Sequence, residues 1–441
     1  MMRRIFLFTV SVFAILVQNL SAQGQQRDSL LTDANLSNVI AYALNRQPTV
    51  QQALLDEKIT ELQIKSKLSE WYPQVNFNYL YQRNIQLQSS VIGGNTVRFG
   101  NKNNSALQFS ASQSIFNRDV LLASRTRSDV RQQSKQLTTD AKIELVSNVT
   151  RAFYDVIVSE LNRQVANKNI IRQERSLRDT RAKYDAGVVD KTDYKRATIA
   201  LNNSRALQKN NREATKAKTE YLKSLMNYPV SAELHIQYDS TALEREIYVD
   251  TLQNINYDNR IEYRILLTQR KLQEANLKYN RWSYIPSVSA NGAYNINYFN
   301  NSFSKLYSAS FPQSFAGLTV AFPIFQGGKR KYEIRQAEWE LKRTDLDIIS
   351  LRNNLHSDYI ASLSGYKSSL ANYFAAQENV QLAQEVYDVI ELQYQSGIKT
   401  YLEVAVAEAD LSTSQINFYN ALYQVLSRKI DVQRSLGQIS F

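Results

Sequence analysis

The chain has no cysteine, and that single absence removes a good deal of chemistry. Disulfides, thiolate metal sites, cysteine nucleophiles and a lipid-modified N-terminal cysteine are all excluded from the sequence as it stands. Histidine is nearly as scarce: only His235 and His356 occur, far apart in the chain. A histidine-based metal cluster or catalytic triad therefore has too few members. Glycine supplies 12 and proline 6 of 441 residues, too few punctuators for two or three ordinary soluble domains. The content is 43% hydrophobic, 11% aromatic and 21% charged, which excludes intrinsic disorder. Architecture is expected, with no enzyme, no metal and no cofactor.

Residues 1–22 read as a secretory signal. Arg3 and Arg4 form a positive start, Ile5 to Val17 is an apolar run broken only by Thr9 and Ser11, and Ser21-Ala22 supplies small residues before Gln23. A membrane anchor is the other reading of this segment, but the run is shorter than the ~20 residues a spanning helix needs. No later stretch approaches that length. Loss of the two arginines lowers the formal charge from +12 to +10. Such a basic balance raises nucleic acid as a partner. Here, however, Lys and Arg alternate with Asp and Glu along helical segments such as 331-KYEIRQAEWELKRTDLD-347, the pattern of a solvated helix face.

The chain repeats itself. Residues 68-LSEWYPQVNFNY-79 recur as 280-NRWSYIPSVSANGAY-294, 113-QSIFNRDVLLASR-125 as 322-FPIFQGGKRKYEIR-335, and 184-YDAGVVDKTDY-194 as 394-YQSGIKTYLEV-404. The offsets of 213, 209 and 210 residues point to duplication of a whole half-domain rather than a solenoid repeat. The expected division is a first repeat at 23–228, an equatorial segment at 229–258 and a second repeat at 259–441.

Each half alternates two patterns. Residues 36–71 have helical composition, with Pro48 near the start, and Pro73 stops the helix. Val75, Phe77, Tyr79 and Tyr81 then alternate with polar residues, the period of a strand with one apolar face. A polar loop with Gly93-Gly94-Asn95 follows, then a second alternation at Leu107, Phe109 and Ala111. The other half repeats this at Val288, Ala290, Tyr294, Ile296 and Tyr298, and at Leu318, Val320 and Phe322. Four strands of about ten residues are expected, ten being close to what a tilted strand needs to cross a membrane.

After each hairpin comes a long helical stretch, Asn117 to Tyr184 and Lys329 to Tyr394, each about 100 Å at 1.5 Å per residue. Val146, Val149, Phe153 and Val156, like Leu363, Tyr366, Leu370 and Tyr373, follow the 3-4-3 spacing of a helix-packing seam. Gly187 and Gly397 mark tight turns that need a left-handed residue. The return helices end near Tyr228-Pro229 and near Gly437. In lipid only a closed barrel satisfies every strand, and four strands do not close one, so several chains must share it.

The run Phe322-Pro323-Ile324-Phe325-Gln326-Gly327-Gly328 closely resembles the strand-to-helix junction of the TolC family of outer-membrane efflux ducts, and Gln113 to Phe116 resembles its first-half partner. The turns Tyr184 to Asp193 and Tyr394 to Glu403 are similar to the family's two periplasmic tips. The resemblance covers essentially the whole chain after the signal. It implies a mostly α fold with membrane β: long helical hairpins, and four strands per chain in a twelve-stranded barrel shared by a homotrimer in outer-membrane lipid. It also implies a periplasmic adaptor protein and an inner-membrane transporter as partners, in tripartite efflux or type I secretion. By motif position the family's gating residues fall on Tyr394 and Lys399 of one turn and on Asp193 and Thr192 of the other. Glu403 takes the place of a constriction carboxylate. Two departures stand out: Lys399 replaces a frequent arginine and so lacks its bidentate fork, and Val406 replaces a second acidic ring.

Two apparent motifs carry no chemistry. Gly327-Gly328-Lys329 lacks the earlier glycine and following Ser/Thr of a phosphate loop, and Ser362 to Gly365 lacks the first glycine of a nucleophile elbow. On the residues alone a pore-less periplasmic coiled-coil scaffold or tether remains open, as does, less favoured, a nucleic-acid-binding coiled coil.

Overall fold

The computed structural model describes residue 31 and residues 33–441; the signal expected at 1–22 lies outside the described residues. Asn35 caps the first described helix, α1 (Leu36–Arg46), its side-chain oxygen accepting from the Asn38 backbone N–H at 2.9 Å. The helical stretch expected over 36–71 is in fact two helices. Gln47, forced out of helical geometry by the following proline, is extended (φ −67°, ψ 124°), and α2 (Pro48–Ser69) restarts on Pro48, whose missing N–H is no loss at that position.

Four long strands form one antiparallel sheet in the order β1-β4-β5-β6: β1 (Gln74–Arg83), β4 (Asn103–Phe116), β5 (Ser287–Asn300) and β6 (Phe311–Ala321). The two central strands run to 14 residues rather than ten. Two further strands, β2 (Gln88–Ile92) and β3 (Asn95–Phe99), pair where a polar loop was expected. The reason is the turn: Gly93 and Gly94 both take positive φ (60° and 83°), as a two-residue hairpin turn of the primed type requires.

The register places an aromatic row and an amide row on opposite faces of the sheet, with Phe299, Phe311 and Phe315 sharing the amide face. Phe77, Phe109 and Tyr294 are aligned across β1, β4 and β5, and the Phe77 and Phe109 rings lie 4.9 Å apart. One residue along, Asn78, Gln108, Asn295 and Gln313 cross all four strands on the opposite face. The Phe303–Ser308 turn packs over one end of the aromatic face, Tyr307 meeting Tyr79 and Tyr298 and Phe303 meeting Tyr81, while Phe77, Phe109 and Tyr294 stay exposed. Among the described residues β1 and β6 each have one strand edge without a partner.

The long helices leave from the same end of the sheet. α3 (Arg118–Asp185) has 68 residues and turns into α4 (Lys191–Met226); α7 (Lys329–Gln395) has 67 and turns into α8 (Tyr401–Ser435). Between the halves lies α5 (Ser240–Glu246), and α6 (Ile261–Arg281) opens the second half. α3 packs on α4, α7 packs on α8, and α3 also packs on α8, so the two hairpins lie side by side. Among the described residues no helix is long and apolar enough to cross a membrane.

One large core ties these parts together at the level of residues 229–258. The seam residues Val146, Val149, Phe153 and Val156 are all buried, with Leu222 and Met226 of α4, Leu243 and Ile247 of the connecting segment, and Leu422, Val425 and Leu426 of α8. α7 contributes Tyr359, Tyr366 and Tyr373, seven residues apart, as a heptad seam requires. The hydroxyls of Tyr359 and Tyr366 strap the connecting segment to the bundle. Tyr366 donates to the Ile247 carbonyl at 2.9 Å and accepts from the Val249 N–H at 3.2 Å, and Tyr359 donates to the Gln253 carbonyl. Replacing Tyr366 by Phe should leave a buried carbonyl and N–H unpaired and cost about 1–3 kcal/mol. Faster proteolytic nicking within 229–258, with helix content unchanged, is the expected readout.

Candidate functional site: the helical tip and the strand-to-helix junction

The two hairpin turns are built alike. At the first, Gly187 N–H donates to the Tyr184 carbonyl (2.9 Å) and Val188 N–H to the Lys183 carbonyl (2.8 Å). At the second, Gly397 N–H donates to the Tyr394 carbonyl (3.1 Å) and Ile398 N–H to the Gln393 carbonyl (2.9 Å). This is the paired bonding that closes a helix through a left-handed glycine. Gly187 and Gly397 have φ of 73° and 77°, where a Cβ would be strained. The residue after each glycine is apolar and exposed, 70% for Val188 and 72% for Ile398.

The return helices then start on side-chain caps. Asp190 accepts from the Thr192 N–H at 2.8 Å. At the second turn Thr400 and Glu403 cap each other: Glu403 Oε2 accepts from the Thr400 N–H at 2.9 Å, and the Thr400 side chain serves the helix's third residue. The other Glu403 oxygen takes the Lys399 ammonium at 2.5 Å. That ammonium, together with the Thr400 N–H, holds the Glu403 carboxyl down to about 2.

Within one copy of the chain, the four residues expected at the gate do not bond one another. Lys399 is paired with Glu403 on its own helix, and Asp193 has Arg196 at 3.9 Å, also on its own helix. Thr192 is exposed, its backbone N–H held by Asp190. Tyr394 does reach the first hairpin, but through Lys183, whose ammonium lies 3.8 Å from the Tyr394 ring centroid. The Tyr394 hydroxyl is buried without a hydrogen-bond partner among the described residues, and the buried Tyr401, whose phenol faces Ser176, meets the Tyr394 ring edge-on at 6.3 Å. Tyr184 and Tyr194 stack across the first turn at 6.1 Å. The sequence reading misses Lys183 and Tyr401. Neither carried a sequence signal, because the contacts of both depend on how the helices face one another across the turns.

At the other end of the helices, the run after β6 makes a turn with Gly327 and Gly328 at φ 58° and 83°. The backbone of this exposed turn is gripped by Arg330, itself buried. Its guanidinium donates to the Pro323 carbonyl and, at 3.1 Å, to the Gln326 side chain, and lies over the rings of Phe322 and Tyr284. Ile324 and Phe325 are thereby pushed outward, 90% and 87% exposed. The first-half junction is shorter: β4 runs to Phe116, Asn117 caps α3 at 2.8 Å, and Tyr279 of α6 donates to Asp119 at 2.6 Å.

The sequence model of the outer membrane efflux protein family matches residues 39–228 and 267–438. The chain belongs to that family. It is accordingly an efflux protein of the outer membrane and not an enzyme. Among curated proteins it is 22% identical over 432 residues to outer membrane protein TolC of Escherichia coli, covering 93% of this chain and 84% of that one. Among solved structures, the fold matches CusC with a TM-score of 0.75 at 16% identity, covering 92% of each chain. It also matches the open state of the MtrE outer membrane channel of Neisseria gonorrhoeae with a TM-score of 0.74 at 18% identity, covering 91% of this chain and 88% of that one.

For this efflux protein the depressed Glu403 carboxyl has a definite pH consequence. Its ionised form stabilises the start of α8 above the ordinary carboxyl range, and that contribution is lost only as pH falls toward about 2. A carbon-13 titration of the Glu403 side chain should therefore show a midpoint near 2. Lys399→Met should return it toward the ordinary value of about 4.3.

Proposed function

We propose that three copies of the chain close a twelve-stranded barrel in the outer membrane and continue it as a helical tunnel into the periplasm. Substrates would then pass passively from an inner-membrane transporter, through an adaptor-docked duct, to the exterior, in tripartite efflux or type I secretion. The carrying observation is the sheet: four antiparallel strands with exposed aromatic side chains such as Phe77, Phe109 and Tyr294, a row of Asn and Gln across the opposite face, and two edges without a partner among the described residues. In hydrocarbon an open edge is untenable, whereas pairing β6 of one copy with β1 of the next removes both edges at once. The aromatic face then meets lipid and the polar face lines water. β2, β3 and the Phe303–Ser308 turn lie at the sheet end away from the helices, hence toward the exterior.

In this reading residues 1–22 are removed on export, residues 23–228 and 259–441 are the two repeats, and residues 229–258 belt the tunnel at its equator. Val188 and Ile398 offer the adaptor an apolar contact at each turn. Tyr394, Lys399, Asp193 and Thr192 form the gate. In this reading the latch joins adjacent copies, and three Glu403 carboxylates ring the neck. At a hydrated tip each such bond contributes on the order of 1 kcal/mol, weak enough for a docked partner to break.

Planar-bilayer recording tests this directly. Purified wild-type protein should give small, stable steps, and Asp193→Ala/Lys399→Ala clearly larger ones. Equal steps would place the gate elsewhere; no steps from either folded protein would leave a scaffold or tether instead of a duct.

A further inference from the structure

Above the tip a carboxyl group is buried where the two hairpins meet. Glu408 of α8 is only 3% exposed, among Val404, Ala407 and Leu411. From α3, Arg172 Nε stands 3.4 Å from Glu408 Oε1. The same guanidinium donates to the Asn169 side-chain oxygen and lies over the Tyr387 ring of α7, 5.6 Å from its centroid. Asn169 in turn donates to Ser412 Oγ of α8 at 2.5 Å, one turn beyond Glu408. α7 adds the Glu391 carboxyl and the Tyr387 phenol, α8 itself the Tyr401 phenol, and α4 brings Asp193 toward Tyr401. One guanidinium, already shared, thus faces a buried carboxyl that has a second acid nearby.

We infer that Glu408 is a proton-operated catch between the hairpins: uncharged, it lets α3 and α8 stay packed; ionised, it loosens them. An ion pair removed from water recovers its desolvation cost only with good geometry and full hydrogen bonding, and here Glu408 has a single bond, at 3.4 Å. Burial, opposed by Arg172 and reinforced by Glu391, pushes the Glu408 carboxyl up to about 7. Once the hairpins part and water enters, it should return to its ordinary value of about 4.3. The packed arrangement therefore binds the proton more tightly than the parted one. Packing is favoured as pH falls below about 7, and that advantage is lost as pH rises through it. Between about pH 6 and pH 8.5 the balance shifts roughly tenfold toward the parted form. Tyr387 and Tyr401 are both raised above the usual phenol range by burial, so neither titrates in that window. As a property of the gate this rests on the duct reading above, in which acid would hold the tip shut.

Hydrogen exchange on the full-length protein in detergent tests the catch without needing a pore. Wild type and Glu408→Gln, whose amide mimics the neutral acid, are compared at about pH 6 and about pH 8.5 after correction for intrinsic rates. Amides around 165–176 and 404–415 should lose about tenfold protection in the wild type and almost none in the variant. Equal pH dependence in both proteins, or none in the wild type, would overturn the catch. In bilayers the wild type should open more readily at the higher pH, and Glu408→Gln should stay at the acid level. Silent bilayers with the exchange difference intact would sink the duct and support the catch.

Discussion

A strand edge left open in hydrocarbon strands its N–H and C=O groups with neither water nor a neighbour, at a cost of several kcal/mol for each. That constraint organises this molecule. Its sheet carries an aromatic row on one face and an amide row on the other, and among the described residues leaves β1 and β6 unpaired outside. The two hairpins of the sheet all begin and end on helices at one end, so four helix ends converge beneath it. The junctions are correspondingly stiff: Arg330 fastens the Pro323 turn, and Tyr279 fastens Asp119.

Below the junctions, stability is unevenly distributed. The larger buried apolar cluster lies at the equator, where the seams of α3, α7 and α8 meet α1, α4 and the connecting segment. The tip has only a small cluster, Tyr387, Val404, Ala407 and Leu411. It is held otherwise by a cation over a ring, an ion pair within one helix, and a buried acid with one imperfect partner. Parts of a protein that must move are drawn from its less stable end. The buried Tyr394 hydroxyl, without a partner among the described residues, belongs to the same region.

Much of the fold was legible because it repeats. Period-two alternation at Val75 to Tyr81, unbroken helix from Asn117 onward and the glycines at 187 and 397 all recur one half-chain later, and the structure places each element there. The misreadings have local causes. Ser and Asn around Gly93-Gly94 suggest a loop, yet two positive-φ glycines make a hairpin turn that lets the flanks pair. Pro48 was noted as lying near a helix start, while its larger effect is on Gln47, which it turns into a helix boundary. At the tip, sequence position identified the turns but not the partners: Lys399 bonds Glu403 four residues on, and Tyr394 meets Lys183 across the hairpins.

The sequence by itself determined what is local. Alternation of side chains, helix length, the left-handed turns and the duplicated plan depend on neighbours along the chain, and their physics acts within a few residues. Only the tertiary structure decided which side of α3 faces α8, and with it the burial of Glu408 beside Arg172 and of Tyr394 beside Lys183. The members of these two pairs lie more than 200 residues apart. Their energies come from desolvation and ring electrostatics, which depend on what surrounds a group rather than on what precedes it.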